Sequence, residues 1–427
     1  MKKPDARRKA LVALEQIRRQ GIFLDEAISL VSEGLNAADK ALCNKIVRGT
    51  VQNTFFLDYY LSLYLSRSIN RIEPTVLDIL RISAYQLLFL DRIPPSAVVN
   101  EAVSICKKQR RHAASLVNAV LRKLSDAKDK LPPISADTKS EFLSVKYSHP
   151  LWLCEYFIKI CGYDFTEKFL LANNTEPGIT LQTNTLKCSV DSLLYDLTSK
   201  GYDVKKAGTD SSLIIDKMPN INSVQEYCDG MFYVQDDAAF LSVAQAAPKE
   251  KMKILDLCAA PGGKSFAAAI LSGNNSEVLS CDVSEKRLSL VAEGATRLGL
   301  SCIKTKLEDA RVINKNYINA FDLVIADVPC SGLGVIRKKP EIRYKSRESI
   351  AELPALQLEI LNNASSYVAP GGTLLYSTCT LIKEENNDVV NKFLSSNNNF
   401  NVLETRSFWP HIDNTDGFYI CIMKKSI

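Results

Sequence analysis

The chain has 427 residues, of which 46% are hydrophobic and 24% are charged, a composition typical of a globular protein with two to four domains. No apolar run approaches the length of a membrane span, and the basic first residues lead into an amphipathic pattern rather than into the apolar core of a signal peptide. The 12 cysteines form no C-x-x-C pair and there are only 3 histidines, which argues against a disulfide framework and against a zinc site. We therefore expect a cytoplasmic protein that binds neither a metal nor a membrane.

The net charge of +5 conceals an uneven distribution along the chain. Residues 1–130 carry 22 Lys and Arg against 13 Asp and Glu, whereas the remaining residues carry 31 against 35. A basic front segment on a nearly neutral body favours a nucleic-acid partner, although a solvated helical surface would carry the same charge.

An all-helical domain is predicted over residues 1–130. Apolar residues recur three and four positions apart over residues 5–128, as in Ala10, Leu14 and Ile17, and few strands would fit this pattern. Prolines at 94–95 suit the start of a helix but not its interior.

A basic cluster lies between two of these helical segments and is predicted to bind RNA. It consists of Lys107, Lys108, Arg110 and Arg111. The segments on either side, residues 98–103 and 117–123, resemble the helical RNA-binding domain of the antitermination factor NusB. The resemblance implies that residues 1–130 bind RNA.

Residues 131–175 are predicted to form a linker and a helical connector. The first part is rich in turn-forming residues. Helices that begin after Tyr147 are expected to bury four apolar side chains, those of Phe157, Ile160, Phe169 and Leu170.

Residues 176–237 are predicted to form a small α/β module. Strand-like segments at residues 179–187, 213–215 and 231–234 surround a helical pattern at 190–200. The Asn-Thr-Leu and Val-Gln-Asp sequences within it resemble the module that precedes the catalytic domain in RNA cytosine methyltransferases. Gln182 stands where that family would have an arginine.

Residues 238–427 alternate strand and helix patterns, as expected of a doubly wound parallel sheet. The segment Lys253–Ser265 runs an apolar strand into a turn at Gly262 and Gly263 and then into a helix. A Walker phosphate loop would need a glycine in place of Cys258, and no G-x-G-x-x-G sequence occurs. The ligand of this turn is therefore not expected to be held by its phosphates.

Two acidic residues after this turn favour an adenosine ligand that carries no phosphate. Asp282 ends the next strand, where a carboxylate can accept hydrogen bonds from both hydroxyls of a ribose. Asp309 follows a later strand and could accept a hydrogen bond from an adenine amino group. S-adenosylmethionine is the cofactor that fits this pattern.

Two cysteines follow strands that end at the ligand-binding edge of the predicted sheet. Residues 321–327 form a buried strand that brings Asp327 and Cys330 to this edge, and residues 370–379 form a glycine turn and a strand that ends on Cys379. Thr380 and the acids at 384–385 are expected to start the next helix, whose positive end would favour the thiolate of Cys379.

A basic loop follows the first of these cysteines. Arg337, Lys338 and Lys339 begin the segment Arg337–Arg347, which also contains Tyr344. Such a loop is predicted to clamp RNA phosphates, and a solvated loop is the alternative.

Carbon 5 of cytosine can attack a methyl sulfonium after a thiolate has added to carbon 6. The Pro-Cys pair after Asp327 and the Thr-Cys pair at 378–379 resemble the double-cysteine signature of RNA 5-methylcytosine methyltransferases. With the NusB-like front end, nearly the full chain is similar to the RsmB (Sun, Fmu) family, which methylates small-subunit (16S) ribosomal RNA. The resemblance implies that Cys379 is the nucleophile, that Cys330 assists release and that Asp327 holds the base.

The resemblance also implies the architecture: an all-α NusB-like domain, a small α/β module and a Rossmann-like class I methyltransferase domain over residues 238–427. The residues expected to line S-adenosylmethionine are Cys258, Ala259, Ala260, Pro261, Gly262, Gly263, Lys264, Asp282, Asp309 and Asp327. Three other interpretations stay open: a methyltransferase of proteins or small molecules, an RNA-binding antitermination factor without catalysis, and a 5-methylcytosine enzyme acting on another RNA such as tRNA.

Overall fold

The computed structural model describes residues 5–217 and 220–427. Residues 1–4, which begin the predicted basic segment, and residues 218–219, which fall in the predicted small module, lie outside the described residues. The chain divides into two compact units. Among the described residues, the first unit contains 5–174 and 339–344, and the second contains 175–217, 220–338 and 345–427.

The first unit is helical in its described part, as predicted. Its α-helices are α1 (Ala6–Gln20), α2 (Leu24–Ser32), α3 (Ala37–Gln52), α4 (Thr54–Ser62), α5 (Pro74–Phe89), α6 (Pro95–Gln109), α7 (Ala114–Ala127), α8 (Lys139–Tyr147), α9 (Leu151–Cys161) and α10 (Tyr163–Ala172). The side chain of Asp5 caps the start of α1, and Gly21 ends that helix in the left-handed conformation. Buried residues of α1–α7 form one continuous apolar core.

Three of the four connector residues expected in the core are buried, namely Phe157, Phe169 and Leu170. The expectation for Ile160 was wrong, because its side chain is 46% exposed. Ile160 is the second-to-last residue of α9, which ends at Cys161 and is followed by Gly162.

The helical unit also contains a segment from much later in the sequence. Residues 339–344 include a short 3₁₀ helix, Pro340–Tyr344, and the side chain of Arg343 is fully buried within the unit. Its guanidinium donates hydrogen bonds to the carbonyl oxygens of Gln52 (2.6 Å) and Ser148 (2.8 Å) and to Oδ1 of Asn174 (3.1 Å). The unit is therefore discontinuous in sequence.

The second unit begins with a small antiparallel sheet of order β2-β3-β1-β4. Its elements are β1 (Ile179–Thr183), α11 (Val190–Ser199), β2 (Val204–Lys206), β3 (Ser212–Ile215), α12 (Gln225–Cys228) and β4 (Phe232–Val234). The predicted α/β module is confirmed, with β2 as a strand that the sequence pattern did not indicate.

The rest of the second unit is a seven-stranded sheet covered by helices. Its elements are α13 (Asp237–Gln245), β5 (Lys253–Asp256), α14 (Gly263–Leu271), β6 (Glu277–Asp282), α15 (Glu285–Leu298), β7 (Ile303–Leu307), β8 (Phe321–Asp327), α16 (Leu353–Tyr367), β9 (Val368–Thr378), α17 (Asn387–Ser396), β10 (Phe400–Phe408), α18 (Pro410–Asp413) and β11 (Phe418–Lys425). The strand order is β10-β11-β9-β8-β5-β6-β7.

The strands from β9 to β7 in this order are mutually parallel, whereas β11 is antiparallel to both of its neighbours. The carboxyl ends of β5, β6, β8 and β9 therefore meet at one edge of the sheet, which is where open α/β sheets bind ligands. In the described parts of the chain, no helix combines the length and the apolar character needed to cross a bilayer.

Candidate active site

The two predicted cysteines lie side by side at the ligand-binding edge of the large sheet. Cys330 follows β8 and Cys379 follows β9, and their sulfur atoms are 3.1 Å apart. Both residues are half-buried. The adjacent sulfur of Cys379, burial, and the carboxylates of Glu385 and Asp327 raise the pKa of Cys330 well above its ordinary value. When two thiols this close lose one proton, the two sulfurs share the proton that remains, so they act chemically as a pair.

The loop after Cys330 is held against the second cysteine by a close backbone approach. The N–H of Gly334 donates to the carbonyl oxygen of Cys379 (3.0 Å), and the N–H of Gly417 donates to the carbonyl oxygen of Gly334 (2.8 Å). A Cβ atom at Gly334 would lie 1.9 Å from the carbonyl oxygen of Gly417. Only glycine allows these backbones to meet.

Asp327 lies at the end of β8 between a cation and a hydroxyl. Its Oδ2 accepts a hydrogen bond from Nζ of Lys264 at 2.6 Å, and its Oδ1 accepts one from Oγ of Ser377 at 2.7 Å. The same ammonium group lies 5.0 Å from the ring centroid of Phe418. Lys264, expected in the cofactor lining, thus pairs with the carboxylate expected to hold the base.

A cavity of about 270 Å³ adjoins this edge and contains three of the expected cofactor residues. It is lined by Leu257, Cys258, Asp282, Val283, Arg287, Asp309, Ala310, Arg311, Pro329, Leu356 and Ile360. Apolar side chains with a few carboxylates are the lining that an adenosine needs.

The two acidic residues of the cavity already make contacts with the protein. Asp282 is buried and accepts hydrogen bonds from the N–H groups of Ala260 (3.3 Å) and Ser284 (3.1 Å). Asp309 accepts hydrogen bonds from Arg311, which lower the pKa of the carboxyl group. Arg287 also lies within 3.5 Å of Asp282, and Arg311 donates to both oxygens of Asp309, so a ligand at either carboxylate would share or replace these contacts. Adenosine binding by these two carboxylates stays a prediction.

The cofactor turn needs glycine for a steric reason. Gly262 has φ of +116°, and a Cβ atom there would lie 2.3 Å from the ring of Phe266. The strand before the turn ends on Asp256, which is buried and accepts a hydrogen bond from Oγ of Ser265 at 2.7 Å. Burial raises the pKa of Asp256 to about 7. This carboxyl group is part of the turn's support and was not singled out in the sequence.

A pair of buried polar side chains holds the loop that carries Cys330. Oε2 of Glu385 accepts hydrogen bonds from the N–H of Ser331 (2.8 Å) and from Nε2 of Gln357 (2.9 Å). Nε2 of Gln357 also donates to the carbonyl oxygen of Pro329 at 3.0 Å. Glu385 was expected only at a helix start, and no sequence signal pointed to Gln357.

The expected helix start directly after Cys379 was wrong. Helix α17 begins at Asn387, and Thr380 instead accepts a hydrogen bond from Oγ of Ser331 at 2.8 Å. The residues between them include a short 3₁₀ helix, Lys383–Glu385, and Glu385 at its end contacts the loop of the other cysteine. The hydroxyl of Thr380 therefore takes part in a hydrogen bond between the two cysteine loops and does not cap the helix.

The predicted phosphate clamp divides into paired and exposed residues. Arg337 and Lys338 form ion pairs with the partly buried Asp236 and the buried Asp416, at 2.8 Å for Arg337–Asp416 and for Lys338–Asp236. Lys339 is exposed in the helical unit and lies 5.7 Å from the ring centroid of Phe23. Arg337 and Lys338 are thus engaged in pairing within the protein, and RNA contact by this loop stays a prediction.

The basic cluster of the helical unit lies where α6 ends. Lys107 and Lys108 are exposed and line a surface groove of about 410 Å³ between α6 and α7. Arg111 is exposed as well, whereas Arg110 pairs with Glu73. The cluster therefore presents three basic side chains to solvent.

Two remaining expectations concern the small module and metals. Gln182 is buried and hydrogen-bonds Asp237 (2.8 Å) and Ser211 (3.1 Å), so its side chain supports the protein interior. Within residues 5–217 and 220–427, no group of three or more His, Cys, Asp or Glu side chains is arranged to hold a metal ion.

Comparisons with known proteins cover all of these parts. Residues 243–424 match the model of the 16S rRNA methyltransferase RsmB/F family, residues 4–126 match the NusB family and residues 149–222 match the RsmF/B-like ferredoxin-like domain. The chain is 33% identical to the probable ribosomal RNA small subunit methyltransferase B of Bacillus subtilis, over 100% of both chains. It is 32% identical to ribosomal RNA small subunit methyltransferase B of Citrobacter koseri, over 92% of this chain and 91% of that protein. The crystal structure of PH0851 superposes with a TM-score of 0.82 at 27% identity and covers 98% of both chains.

Proposed function

Because this chain belongs to the ribosomal RNA small subunit methyltransferase B family, a family of S-adenosylmethionine-dependent enzymes, we propose that it makes 5-methylcytosine in 16S ribosomal RNA through a covalent cysteine adduct. The observation that carries this proposal is the 3.1 Å separation of the sulfurs of Cys330 and Cys379 beside Asp327. A methyltransferase that does not form an adduct would not need two thiols at this edge.

The cofactor supplies an electrophilic methyl group at the cavity beside Asp282. The task of the protein is to make carbon 5 of cytosine nucleophilic. Cys379 attacks carbon 6 as a thiolate, which forms the carbon–sulfur bond and places an electron pair on carbon 5. The site then holds a nucleophile, a base-binding carboxylate and the methyl-donor cavity at adjacent strand ends, as a reaction between bound groups requires.

Asp327 and Lys264 act on the other side of the base. Asp327 binds the ring edge at nitrogen 3 by accepting a hydrogen bond from the adjacent exocyclic amino group, and the ammonium of Lys264, 2.6 Å from this carboxylate, provides positive charge where the ring becomes more negative during attack. The hydroxyl of Ser377 fixes the second oxygen of Asp327. The carboxylate is thereby held at the end of β8 in one orientation.

Cys330 acts when the adduct is resolved. After methyl transfer, carbon 5 loses its proton to a base and the bond between carbon 6 and sulfur breaks, with its electron pair returning to the sulfur of Cys379. The thiol of Cys330, 3.1 Å away, donates a hydrogen bond to this leaving thiolate. Release therefore depends on Cys330, whereas attack does not.

The two cysteines are tested separately with substrate RNA and cofactor on a denaturing gel. Cys379→Ala lacks the nucleophile, so it should neither methylate RNA nor form a covalent enzyme–RNA band. Cys330→Ala should form the adduct and fail to resolve it, so a slowly migrating band should accumulate. The double variant should show no band. A band that requires Cys330 would reverse the two roles.

The substrate is tested by transfer of a labelled methyl group from the cofactor to 16S ribosomal RNA, tRNA and bulk protein in parallel. We expect label in 16S RNA, at cytosine carbon 5. Preferential labelling of tRNA would assign the same chemistry to another RNA, and labelling of protein alone would refute the proposal.

A further inference from the structure

Glu385 connects the two cysteine loops of the proposed active site. It lies six residues after Cys379, yet its carboxylate accepts a hydrogen bond from the N–H of Ser331, the residue after Cys330, at 2.8 Å. Gln357 donates to the same carboxylate oxygen and to the carbonyl oxygen of Pro329, the residue before Cys330. The backbone on both sides of Cys330 is therefore fixed by one buried carboxylate and one buried amide.

The charge of Glu385 is not needed for these hydrogen bonds. Both donors point at one oxygen, Oε2, whereas Oε1 is buried and accepts no hydrogen bond from the described residues. A glutamine could place its amide oxygen at the same position and accept both bonds. The carboxylate differs from such an amide by its charge, and a buried negative charge acts strongly on its neighbours.

One neighbour on which this charge acts is Cys330, whose loop Glu385 contacts directly. The charged and titratable groups that face its thiol are Cys379, Glu385, Asp327 and Tyr376. Asp327 is neutralised by Lys264 at 2.6 Å, and the ammonium of Lys345 lies 2.7 Å from the carbonyl oxygen of Ser331 on the other side of the loop. A carboxylate beside one thiol of a closely spaced pair disfavours negative charge on that thiol.

We propose that Glu385 is a positioning residue that keeps the shared proton of the cysteine pair on Cys330, so that Cys379 holds the negative charge before it attacks. This inference rests on the proposed function, because it explains how the pair assigns its two roles. The proton lies on Cys330 and its S–H donates to the thiolate of Cys379. No bond other than this S–H bond is involved, and the same arrangement is restored when the adduct is released.

The test compares the reactivity of the two cysteines in the absence of RNA and so shows which of them is the thiolate. The full-length protein, kept reduced, is treated briefly with iodoacetamide at pH 7, and the peptides containing Cys330 and Cys379 are quantified by mass spectrometry. Wild type should alkylate Cys379 in preference to Cys330. Glu385→Gln, which keeps the hydrogen bonds and removes the charge, should lower the ratio of Cys379 to Cys330 labelling by about tenfold, the effect of one pKa unit between the two sulfurs.

Three further variants separate the effect of the charge of Glu385 from the effect of its hydrogen bonds and size. Glu385→Asp retains the charge and should restore most of the preference for Cys379. Gln357→Leu keeps the charge of Glu385 and removes one of its hydrogen bonds, so it should lower the ratio less than Glu385→Gln does. Glu384→Gln changes the adjacent, half-exposed carboxylate and should have no effect.

An unchanged labelling ratio in Glu385→Gln would overturn the proposal, and so would a ratio in Glu385→Asp as low as that of the glutamine variant. Loss of the thermal unfolding transition in Glu385→Gln would also overturn it, because the charge would then serve folding. Failure of the proposed function gives a different result: wild type would form no adduct with 16S RNA while the labelling ratios stayed as expected.

Discussion

Asp282 is the single residue on which the cofactor assignment depends most. It ends β6 and lines the cavity next to the glycine turn, and we expect its carboxylate to accept hydrogen bonds from the ribose hydroxyls. Asp282→Ala should weaken the binding of S-adenosylmethionine by about tenfold or more, since a hydrogen bond to a charged group contributes about 1.5–3 kcal/mol. Isothermal titration calorimetry measures this change.

The matched control is Glu277→Ala, which removes an exposed carboxylate from the opposite end of the same strand. Its cofactor affinity should equal that of wild type. Equal affinities for wild type and Asp282→Ala would refute the ribose assignment.

Asp256 should make the stability of the protein depend on pH. Its pKa is about 7 in the folded protein, above the ordinary value of 3.8, because the side chain is buried. The folded state therefore holds this proton more tightly than the unfolded state, so the contribution is fully present below pH 3.8 and is lost as the pH rises through 7. Relative to Asp256→Asn, the free energy of unfolding of wild type should fall by up to about 4 kcal/mol across this range.

Urea unfolding of both proteins at several pH values between about 4 and 8, which span the titration range of Asp256, measures this difference. Glu277→Gln, a change at an exposed carboxylate, should track wild type at every pH. Parallel stability curves for wild type and Asp256→Asn would show that Asp256 does not titrate in this range.

At the scale of single residues, the sequence predicted the side chains that directly follow the ends of the strands. It did not predict which side chains from distant parts of the sequence contact them. Cys330, Cys379 and Asp327 were predicted to meet because parallel strands align their carboxyl ends. The contact of Lys264 with Asp327 spans 63 positions, and its direction depends on how the first turn of α14 faces β8. Spacing in the sequence contains no information about that orientation.

Among the secondary-structure elements, the end of α6 and the start of α7 form the surface that we expect to bind RNA. Lys107, Lys108 and Arg111 are exposed there, whereas Arg110 pairs with Glu73. Changing the three exposed residues to Glu should raise the dissociation constant for RNA. It should also reduce the salt dependence of binding, by a slope of about 0.7–0.9 for each phosphate that the variant no longer neutralises.

Filter binding at several salt concentrations tests this prediction. Arg110→Gln provides the comparison, because it removes a cation already engaged within the protein, and it should change the salt slope less. Cofactor affinity should stay constant in both variants. If the triple variant bound RNA with the wild-type slope, the cluster would be only a solvated surface.

The helices and strands could largely be predicted from the sequence, whereas the contacts made by the loops between them could not. Helical periodicity predicted the first unit, and alternating strands and helices predicted the large sheet. The basic loop after Cys330 was predicted to clamp RNA phosphates, but Arg337 pairs with Asp416, 79 positions away. Long-range ion pairs of this kind arise from tertiary structure, and a local excess of Lys and Arg cannot reveal them.

For the molecule as a whole, Arg343 should be essential for the stability of the helical unit. Arg343→Met would leave the acceptors on Gln52, Ser148 and Asn174 without their buried donor. An unpaired buried acceptor costs about 1–3 kcal/mol, so the thermal unfolding of this unit should move to clearly lower temperature.

Lys339→Gln changes an exposed cation in the same segment and should leave the unfolding temperature within about one degree of wild type, as is usual for surface substitutions. Differential scanning calorimetry of the full chain compares the variants. An unchanged transition in Arg343→Met would mean that the buried guanidinium contributes little to the unit.

The sequence predicted a helical domain that ends before residue 131, and no local pattern indicated that residues 339–344 would complete it. Arg343 looked like one more cation in a basic loop. Its buried position is set by acceptors at the ends of helices that lie far away in sequence, and such a set of acceptors is visible only in three dimensions.

This discontinuity has a consequence for the newly made chain. The 164 residues 175–338 separate the two parts of the helical unit, and a ribosome that adds about 5–20 residues per second needs roughly 10–30 s to synthesise them. During that interval the amino-terminal helices have emerged while Arg343 does not yet exist, so the carbonyl oxygens of Gln52 and Ser148 must be hydrated. Folding during synthesis is therefore not strictly domain by domain: the first unit reaches its native state only after most of the second unit has been translated.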